Sequence, residues 1–143
     1  MKRSATLSLG LIAISIGVVL LVYWITIKNK ELQDTNTLTS DEGGVTVTVN
    51  PITSLESDNW SFEIELNTHS GELPEDLKGD AELLLDNRQT LSAFSWEMSS
   101  EQSHHQEGIL SFEKTGNKPG AIELILKDIG GVEERNFKWD LNN

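Results

Sequence analysis

The first pattern along the chain is an uninterrupted apolar run near the N-terminus. Residues 7–27 contain no charged side chain, and basic residues flank the run at Lys2, Arg3, Lys28 and Lys30. At about 1.5 Å of rise per residue, a helix over this run is about 31 Å long, which matches a bilayer hydrocarbon core of about 30 Å. The run therefore predicts one transmembrane helix that contacts the lipid bilayer.

A cleaved secretory signal is the alternative explanation for this run. The apolar core of such a signal usually spans about 7 to 15 residues and ends before small side chains. This run is longer and ends in bulky residues, including Tyr23 and Trp24. We therefore expect the helix to be retained as a signal anchor. Its short basic N-terminal segment, residues 1–6, favours an N-terminus in the cytoplasm and a C-terminal domain on the extracytoplasmic side of the cell membrane.

A polar segment follows the apolar run. Residues 28–44 show no sustained hydrophobic period and end in the pair Gly43-Gly44. Polar segments of this kind that end in glycine are typical of flexible connections. We predict a flexible linker over residues 28–44 and a folded domain over residues 45–143.

Alternation with a period of two dominates this domain. Trp60, Phe62, Ile64 and Leu66 alternate with polar residues, which places four large apolar groups on one face of a strand. Similar segments predict six further strands, and residues 86–89 between two of them have the composition of a hairpin turn. The predicted strands cover residues 45–49, 60–66, 81–85, 90–96, 108–112, 122–127 and 136–141.

One apolar face per strand determines the expected fold. Each strand buries one face only, so two sheets have to cover each other to form a core. The expected fold class is all-β, with a seven-stranded immunoglobulin-like sandwich after the single transmembrane helix. Aromatic side chains supply much of the predicted core, because each of them buries about 150 to 250 Å². These side chains are Trp60, Phe62, Trp96, Phe112, Phe137 and Trp139.

Charge and cysteine content narrow the range of partners. The formal net charge is −12, and residues 31–143 hold all 23 acidic residues but only 7 of the 11 basic ones. Affinity for nucleic acid depends on Lys and Arg side chains that displace counterions from phosphates, so the sequence argues against a nucleic-acid partner. The chain has no cysteine, which excludes disulfides, thiolate metal ligands and a lipid-modified cysteine. The tether therefore has to be protein.

Motifs that would identify an enzyme are missing. The sequence has no Gly-x-Ser-x-Gly, no Gly-x-Gly-x-x-Gly or Walker loop, and no His-Glu-x-x-His. We expect a non-enzymatic binding or accessory module at the outer face of the membrane, whose loops contact a protein or peptide. The alternative is a structural or assembly subunit of a membrane complex, for which Ser8, Ser15 and Thr26 offer hydroxyl groups within the helix.

The three histidines form the candidate site. If successive strands run antiparallel, the loops after the second, fourth and sixth strands emerge at one end of the sandwich. These loops hold His69, the pair His104 and His105, and Asp128 respectively. Imidazoles with a nearby carboxylate, here Asp76 or Asp128, suit Cu²⁺ or Zn²⁺, which predicts a metal site. The alternative is that these histidines brace their loops by hydrogen bonds.

Several short motifs also resemble an uncharacterised group of prokaryotic membrane-anchored or secreted β-sandwich proteins. The likeness covers residues 45–141, and the motifs are Thr68-His69-Ser70, Trp96-Glu97, His104-His105 before Gly108-Ile109-Leu110-Ser111-Phe112, and Arg135-Asn136-Phe137-Lys138-Trp139-Asp140-Leu141. The group usually has a Gly-rich approach to the histidine pair, where this chain has residues 98–103 without glycine. The resemblance implies the β architecture and no particular activity.

Overall fold

A computed structural model describes residues 36–52, 58–70, 72–116 and 118–142 of the chain. They belong to a compact unit that begins at Asn36. The predicted transmembrane helix over residues 7–27 and the predicted cytoplasmic segment lie outside the described residues. Within the described part of the chain, no helix is long and apolar enough to cross a membrane.

Eight antiparallel strands form the described fold, which confirms the all-β prediction. They are β1 (Leu38–Glu42), β2 (Val45–Pro51), β3 (Asn59–Thr68), β4 (Ala81–Leu85), β5 (Gln89–Gln102), β6 (His105–Glu113), β7 (Ala121–Ile129) and β8 (Val132–Asp140). Their order in the sheet is β1-β2-β3-β6-β5-β4-β7-β8, so β1 and β8 are its two edges. All seven predicted strands are present, and most of them are longer than the sequence pattern indicates.

The eighth strand, β1, corrects the linker prediction. Residues 38–42 were expected in a flexible linker, but they pair with β2 from Leu38 opposite Val49 to Glu42 opposite Val45. The two-residue turn between these strands uses Gly43 and Gly44, whose φ angles are 57° and 72°. Such left-handed conformations suit the tight hairpins that join twisted strands, and glycine adopts them without a steric penalty. The glycine pair therefore marks a turn within the domain.

A single sheet replaces the two separate sheets of the predicted immunoglobulin-like sandwich. The long strand β5 explains the difference, because residues 89–92 pair with β4 and the rest of the strand pairs with β6. Register shifts interrupt β5 between Ala93 and Ser95 and again between Met98 and Ser100. Bulges of this kind bend a strand and increase its twist, so one sheet curls until it is nearly closed.

The core lies inside this curled sheet, and the predicted aromatic residues contribute to it. Phe62 of β3 is fully buried, and its ring centroid lies 5.9 Å from that of Phe112 and 5.5 Å from that of Trp139. Because Trp139 belongs to β8, this contact joins opposite parts of the sheet. Trp60, Phe112, Phe137 and Trp139 are buried too, while Trp96 is partly buried against the core.

Arg135 of β8 is the buried charged residue at the seam between β1 and β8. Its side chain is 2% exposed and donates hydrogen bonds to the carbonyl oxygens of Ser40, Glu42 and Ile129. Burial lowers the pKa of the Arg135 guanidinium because it disfavours the charged form, while the charges of Glu42 and Asp41 oppose that shift.

Candidate functional site

The pairing of β3 with β6 brings the three histidines to one end of the sheet. Asn67 of β3 lies opposite His105, and the backbone N–H of Thr68 donates a hydrogen bond to the carbonyl oxygen of His104 at 3.0 Å. His69 directly follows Thr68 at the end of β3. The expectation that these histidines share one end is therefore confirmed. We call this end, which carries His69, His104 and His105, the histidine end.

Thr68 connects two segments of the histidine end. Its side chain is buried, and its hydroxyl lies 3.0 Å from the carbonyl oxygen of Gly44 and 2.8 Å from that of Ser70. The N–H of Ser70 in turn donates to the Thr68 hydroxyl at 3.2 Å. These contacts fix the chain on both sides of His69 and place the β1–β2 turn beside it.

The β7–β8 turn reaches the same end, as the antiparallel order predicts. Gly130 and Gly131 form this turn with φ angles of 61° and 73°. A Cβ atom on Gly43 would collide with the carbonyl oxygen of Gly130, which shows how closely the two glycine turns pack. Asp128, one of the two predicted carboxylate ligands, lies just before the turn with a φ of 55°. The other, Asp76, accepts a hydrogen bond from the N–H of Lys78 at 2.8 Å.

His105 is the histidine with contacts that the structure defines. Its Nδ1 lies 2.8 Å from Oδ1 of Asn67 and 3.7 Å from a carboxylate oxygen of Glu65. Its Nε2 lies 4.0 Å from a carboxylate oxygen of Glu107. The hydrogen bond to Asn67 links β6 to β3, so at His105 it supports the alternative in which a histidine braces its loop. The two carboxylates give the ring acidic neighbours on both sides.

His69 and His104 have exposed side chains. Within the described part of the chain, no three His, Asp or Glu side chains are arranged as a set that could hold a metal ion. His69, His104 and His105 thus share one end of the described sheet without forming such a set, and the binding of Cu²⁺ or Zn²⁺ there stays a prediction.

An acidic depression adjoins His105 on the outer face of β2, β3 and β6. Its volume is about 220 Å³, and it is lined by Thr48, Asn50, Glu63, Glu65 and Glu107. Glu65 and Glu107 lie directly opposite each other on neighbouring strands, an arrangement that destabilises a sheet when both are charged. Side-chain amides compensate in part, because Asn67 donates to Glu65 at 2.8 Å and Asn50 donates to Glu63 at 3.1 Å. The depression offers hydrogen-bond acceptors and negative charge to a ligand.

Sequence reasoning missed this depression. The alternation of Glu63 and Glu65 with apolar residues does place both carboxylates on the outer face of β3. Glu107 joins them only through the pairing of β3 with β6, and 36 residues separate the end of β3 from the start of β6. A pattern within one segment carries no signal for such a pairing.

Comparison with known proteins gives no match: no family model, no curated protein and no solved structure resembles this chain significantly.

Proposed function

We propose that this chain is a membrane-anchored, non-enzymatic binding or accessory module at the outer face of the membrane. In this proposal residues 7–27 form the retained anchor, and the histidine end of the β domain contacts a protein or peptide partner. The short basic segment before the apolar run supports the orientation with the domain outside. The choice of the histidine end as the contact surface is supported by the position at which the chain enters the domain.

The observation that carries the proposal is that the chain enters the domain at the end opposite the histidines. β1 runs from Leu38, paired with Val49, to Glu42, paired with Val45, and Val45 is paired with Thr68 at the histidine end. Four residues of rise separate the two ends of β1, which is about 13 Å along the strand. A tether attached before β1 therefore leaves the histidine end free for a partner.

Charge supports a partner with a basic contact surface. Glu63, Glu65 and Glu107 line the depression beside His105, and the surrounding domain is strongly acidic. Carboxylates form their strongest hydrogen bonds with charged donors, above all with the planar guanidinium of arginine. A Lys- or Arg-bearing segment would also relieve the repulsion between Glu65 and Glu107. The same charge disfavours nucleic acid and anionic lipid headgroups.

Site-specific crosslinking in intact cells tests the proposal. A photo-crosslinking amino acid is placed at His104 of the full chain, and a matched variant carries it at Asp140, which is exposed at the opposite end of β8. We expect a discrete adduct from position 104 and none from position 140. Charge-neutral variants Glu65→Gln and Glu107→Gln should reduce the yield of that adduct.

Two controls separate the parts of this proposal. The chain has no cysteine, so His104→Cys and Lys2→Cys each introduce a unique thiol. A membrane-impermeant maleimide should label position 104 and leave position 2 unlabelled in intact cells. Equal adduct yields at both ends of the domain would contradict the assignment of the histidine end. A further variant carries the photo-crosslinking amino acid at Ser15, and an adduct from that position alone would favour the assembly subunit instead.

Metal binding is a second proposal for the same end. The observation in its favour is that Nε2 of His105 faces the Glu107 carboxylate at 4.0 Å, since mixed nitrogen and oxygen ligands suit Zn²⁺ and Cu²⁺. Titration calorimetry of residues 36–143 with Zn²⁺ and with Cu²⁺ measures the affinity of the domain for each metal. His69→Ala and His104→Ala should each weaken binding by about tenfold or more. Unchanged affinity in both variants would contradict this proposal.

A further inference from the structure

The seam between β1 and β8 is closed differently from every other contact between neighbouring strands. Among the described residues, no backbone ladder joins β1 to β8, although these two strands are the edges of a nearly closed sheet. Side chains of β8 hold the β1 segment instead. Because edge strands present unpaired backbone groups, such a seam is where another extended chain can add to a sheet.

Arg135 makes the first of these side-chain contacts. Its Nη1 lies 2.9 Å from the hydroxyl oxygen of Ser40 and 3.3 Å from the Ser40 carbonyl oxygen. Its Nη2 lies 2.7 Å from the carbonyl oxygen of Glu42 and 3.2 Å from that of Ile129. Three of these four acceptors belong to β1, so the guanidinium attaches the end of β1 to β8.

Trp139 makes the second contact, two residues before β1 begins. Its Nε1 donates to the carbonyl oxygen of Asn36 at 2.6 Å. Between the two contacts, β1 has the sequence Leu-Thr-Ser-Asp-Glu, and Leu38 is the one apolar residue. By contrast, Val45, Val47 and Val49 of the neighbouring β2 are almost completely buried. The strand that covers β2 is therefore short and polar, while β2 itself is a well-packed strand.

The charge of Arg135 is incompletely neutralised where it lies. All four of its hydrogen-bond acceptors are neutral oxygens, and none of the ion pairs among the described residues includes it. Its Nε is buried and has no hydrogen-bond partner in the described part of the chain. A buried cation gains most from a carboxylate at hydrogen-bond distance, because its own desolvation has already occurred.

We propose that β1 is a releasable strand, and that the slot it occupies between β2 and β8 binds an extended acidic segment of a partner protein. The segment pairs with β2 in place of β1. It places an Asp or Glu side chain at the position of Ser40, where the carboxylate accepts hydrogen bonds from Arg135. The slot does not include the side chains of His69, His104 and His105. Its Gly43-Gly44 end does lie beside them, so release of β1 would bring the entry point of the chain to the histidine end.

Release of β1 would change the length of the connection between the predicted anchor and the domain. β1 follows the residues that are predicted to tether the domain, and the Gly43-Gly44 turn links it to β2. Release lengthens the connection between the predicted anchor and the rest of the sheet by the residues of β1. Binding of the acidic segment therefore couples partner recognition to the reach of the domain.

Hydrogen exchange on the full chain in detergent tests the proposal. The probe is a peptide with the sequence of residues 36–42 carrying Ser40→Asp, and the control peptide has the native sequence. We expect the acidic peptide to accelerate amide exchange in β1 while protection in β3 and β6 is unchanged. Its affinity should exceed that of the control peptide by about tenfold, because hydrogen bonds to a charged acceptor are about twice as strong.

Two variants keep the test decisive. Thr39 and Thr48 face each other with hydroxyl oxygens 3.4 Å apart, so Thr39→Cys with Thr48→Cys can lock β1 to β2 by a disulfide. The disulfide-linked protein should not bind the acidic peptide, and reduction of the disulfide should restore binding. In the full chain, Ser40→Asp should slow the exchange of β1 amides, whereas Thr39→Asp should not.

Two results would overturn the proposal. The first is that the protection of β1 amides from hydrogen exchange stays the same when the acidic peptide is added at a saturating concentration. The second is exchange of β1 amides at the same rate as those of β3 in the native chain and in both Asp variants, since β1 would then not open separately from the sheet.

Discussion

Replacement of Phe62 by alanine measures how much stability depends on the contact between opposite parts of the curled sheet. Phe62 is 0% exposed and packs against Phe112 and Trp139, which lie on β6 and β8. Phe94 on the bulge of β5 offers a matched control with the same side chain, because it is 48% exposed. We expect Phe62→Ala to destabilise the domain strongly and Phe94→Ala to do so weakly.

The expected magnitudes follow from burial. A buried phenylalanine hides about 150 to 250 Å², which at about 25 cal/mol per Å² corresponds to about 4 to 6 kcal/mol as an upper estimate. Large-to-small substitutions of buried aromatic residues cost about 3 to 5 kcal/mol, and we expect Phe62→Ala to fall in that range. For the half-exposed Phe94 we expect about 1 kcal/mol or less. A small domain has about 5 to 15 kcal/mol of stability, so the difference is readily measured.

Urea denaturation of residues 36–143, followed by tryptophan fluorescence, provides the assay. With a slope of about 2 kcal/mol per molar urea, the Phe62→Ala midpoint should fall by about 2 M. The Phe94→Ala midpoint should fall by less than about 0.5 M. Similar shifts for the two variants would refute the assignment of Phe62 to a core shared by β3, β6 and β8.

Three further predictions concern a turn, the acidic depression and an ion pair. Gly43→Ala should lower the melting temperature more than Gly44→Ala, because both positions have positive φ angles but a Cβ on Gly43 would also collide with the opposite glycine turn. Glu107→Lys should raise the free energy of unfolding by about 0.2 to 1 kcal/mol in urea titrations, since it replaces a like-charge cross-strand pair by an opposite-charge pair; a decrease would contradict the repulsion. The hydrogen bond to Glu82 raises the pKa of Lys127 from 10.5. The stability lost in Lys127→Met should therefore be constant from neutral pH up to 10.5 and shrink as the pH rises further; an unchanged difference in alkaline denaturation curves would refute it.

The strands themselves were largely predictable from local patterns. In β3, Trp60, Phe62, Ile64 and Leu66 all point into the core, as the period of two requires. β1 was missed because its residues are mostly polar, and alternation of apolar residues cannot identify such a strand. It is held by pairing with β2 and by Arg135, which lies 95 residues from Ser40 in the sequence. Neither contact leaves a signal in the β1 segment.

The arrangement of the strands was less predictable than their positions. β4 pairs with β7, and β3 pairs with β6, so at these two places neighbours in the sheet are not neighbours in the chain. The strand β5 joins the two halves of the sheet, and its register shifts at residues 93–95 and 98–100 cannot be read from the alternation of apolar residues. The seven-stranded sandwich was therefore the wrong arrangement of correctly predicted strands.

At the candidate site, antiparallel alternation was enough to bring the histidines to one end. The contacts of His105 could not be predicted in this way, because its hydrogen bond to Asn67 depends on the register between β3 and β6. Sequence spacing fixes which end of a strand a loop leaves from, but the register determines which side chains meet.

The contacts between β1 and β8 also determine how late in translation the sheet can close. The N-terminal strand leaves the ribosome first, while Arg135, its contact on β8, is synthesised 95 residues after Ser40. At about 5 to 20 residues per second, that interval is about 5 to 20 seconds. Throughout this time β1 has no partner on its outer side, so the nascent domain exposes an open edge that invites aggregation. β8 thus completes the closure of the sheet, and translation that stopped before β8 would leave the outer side of β1 unprotected.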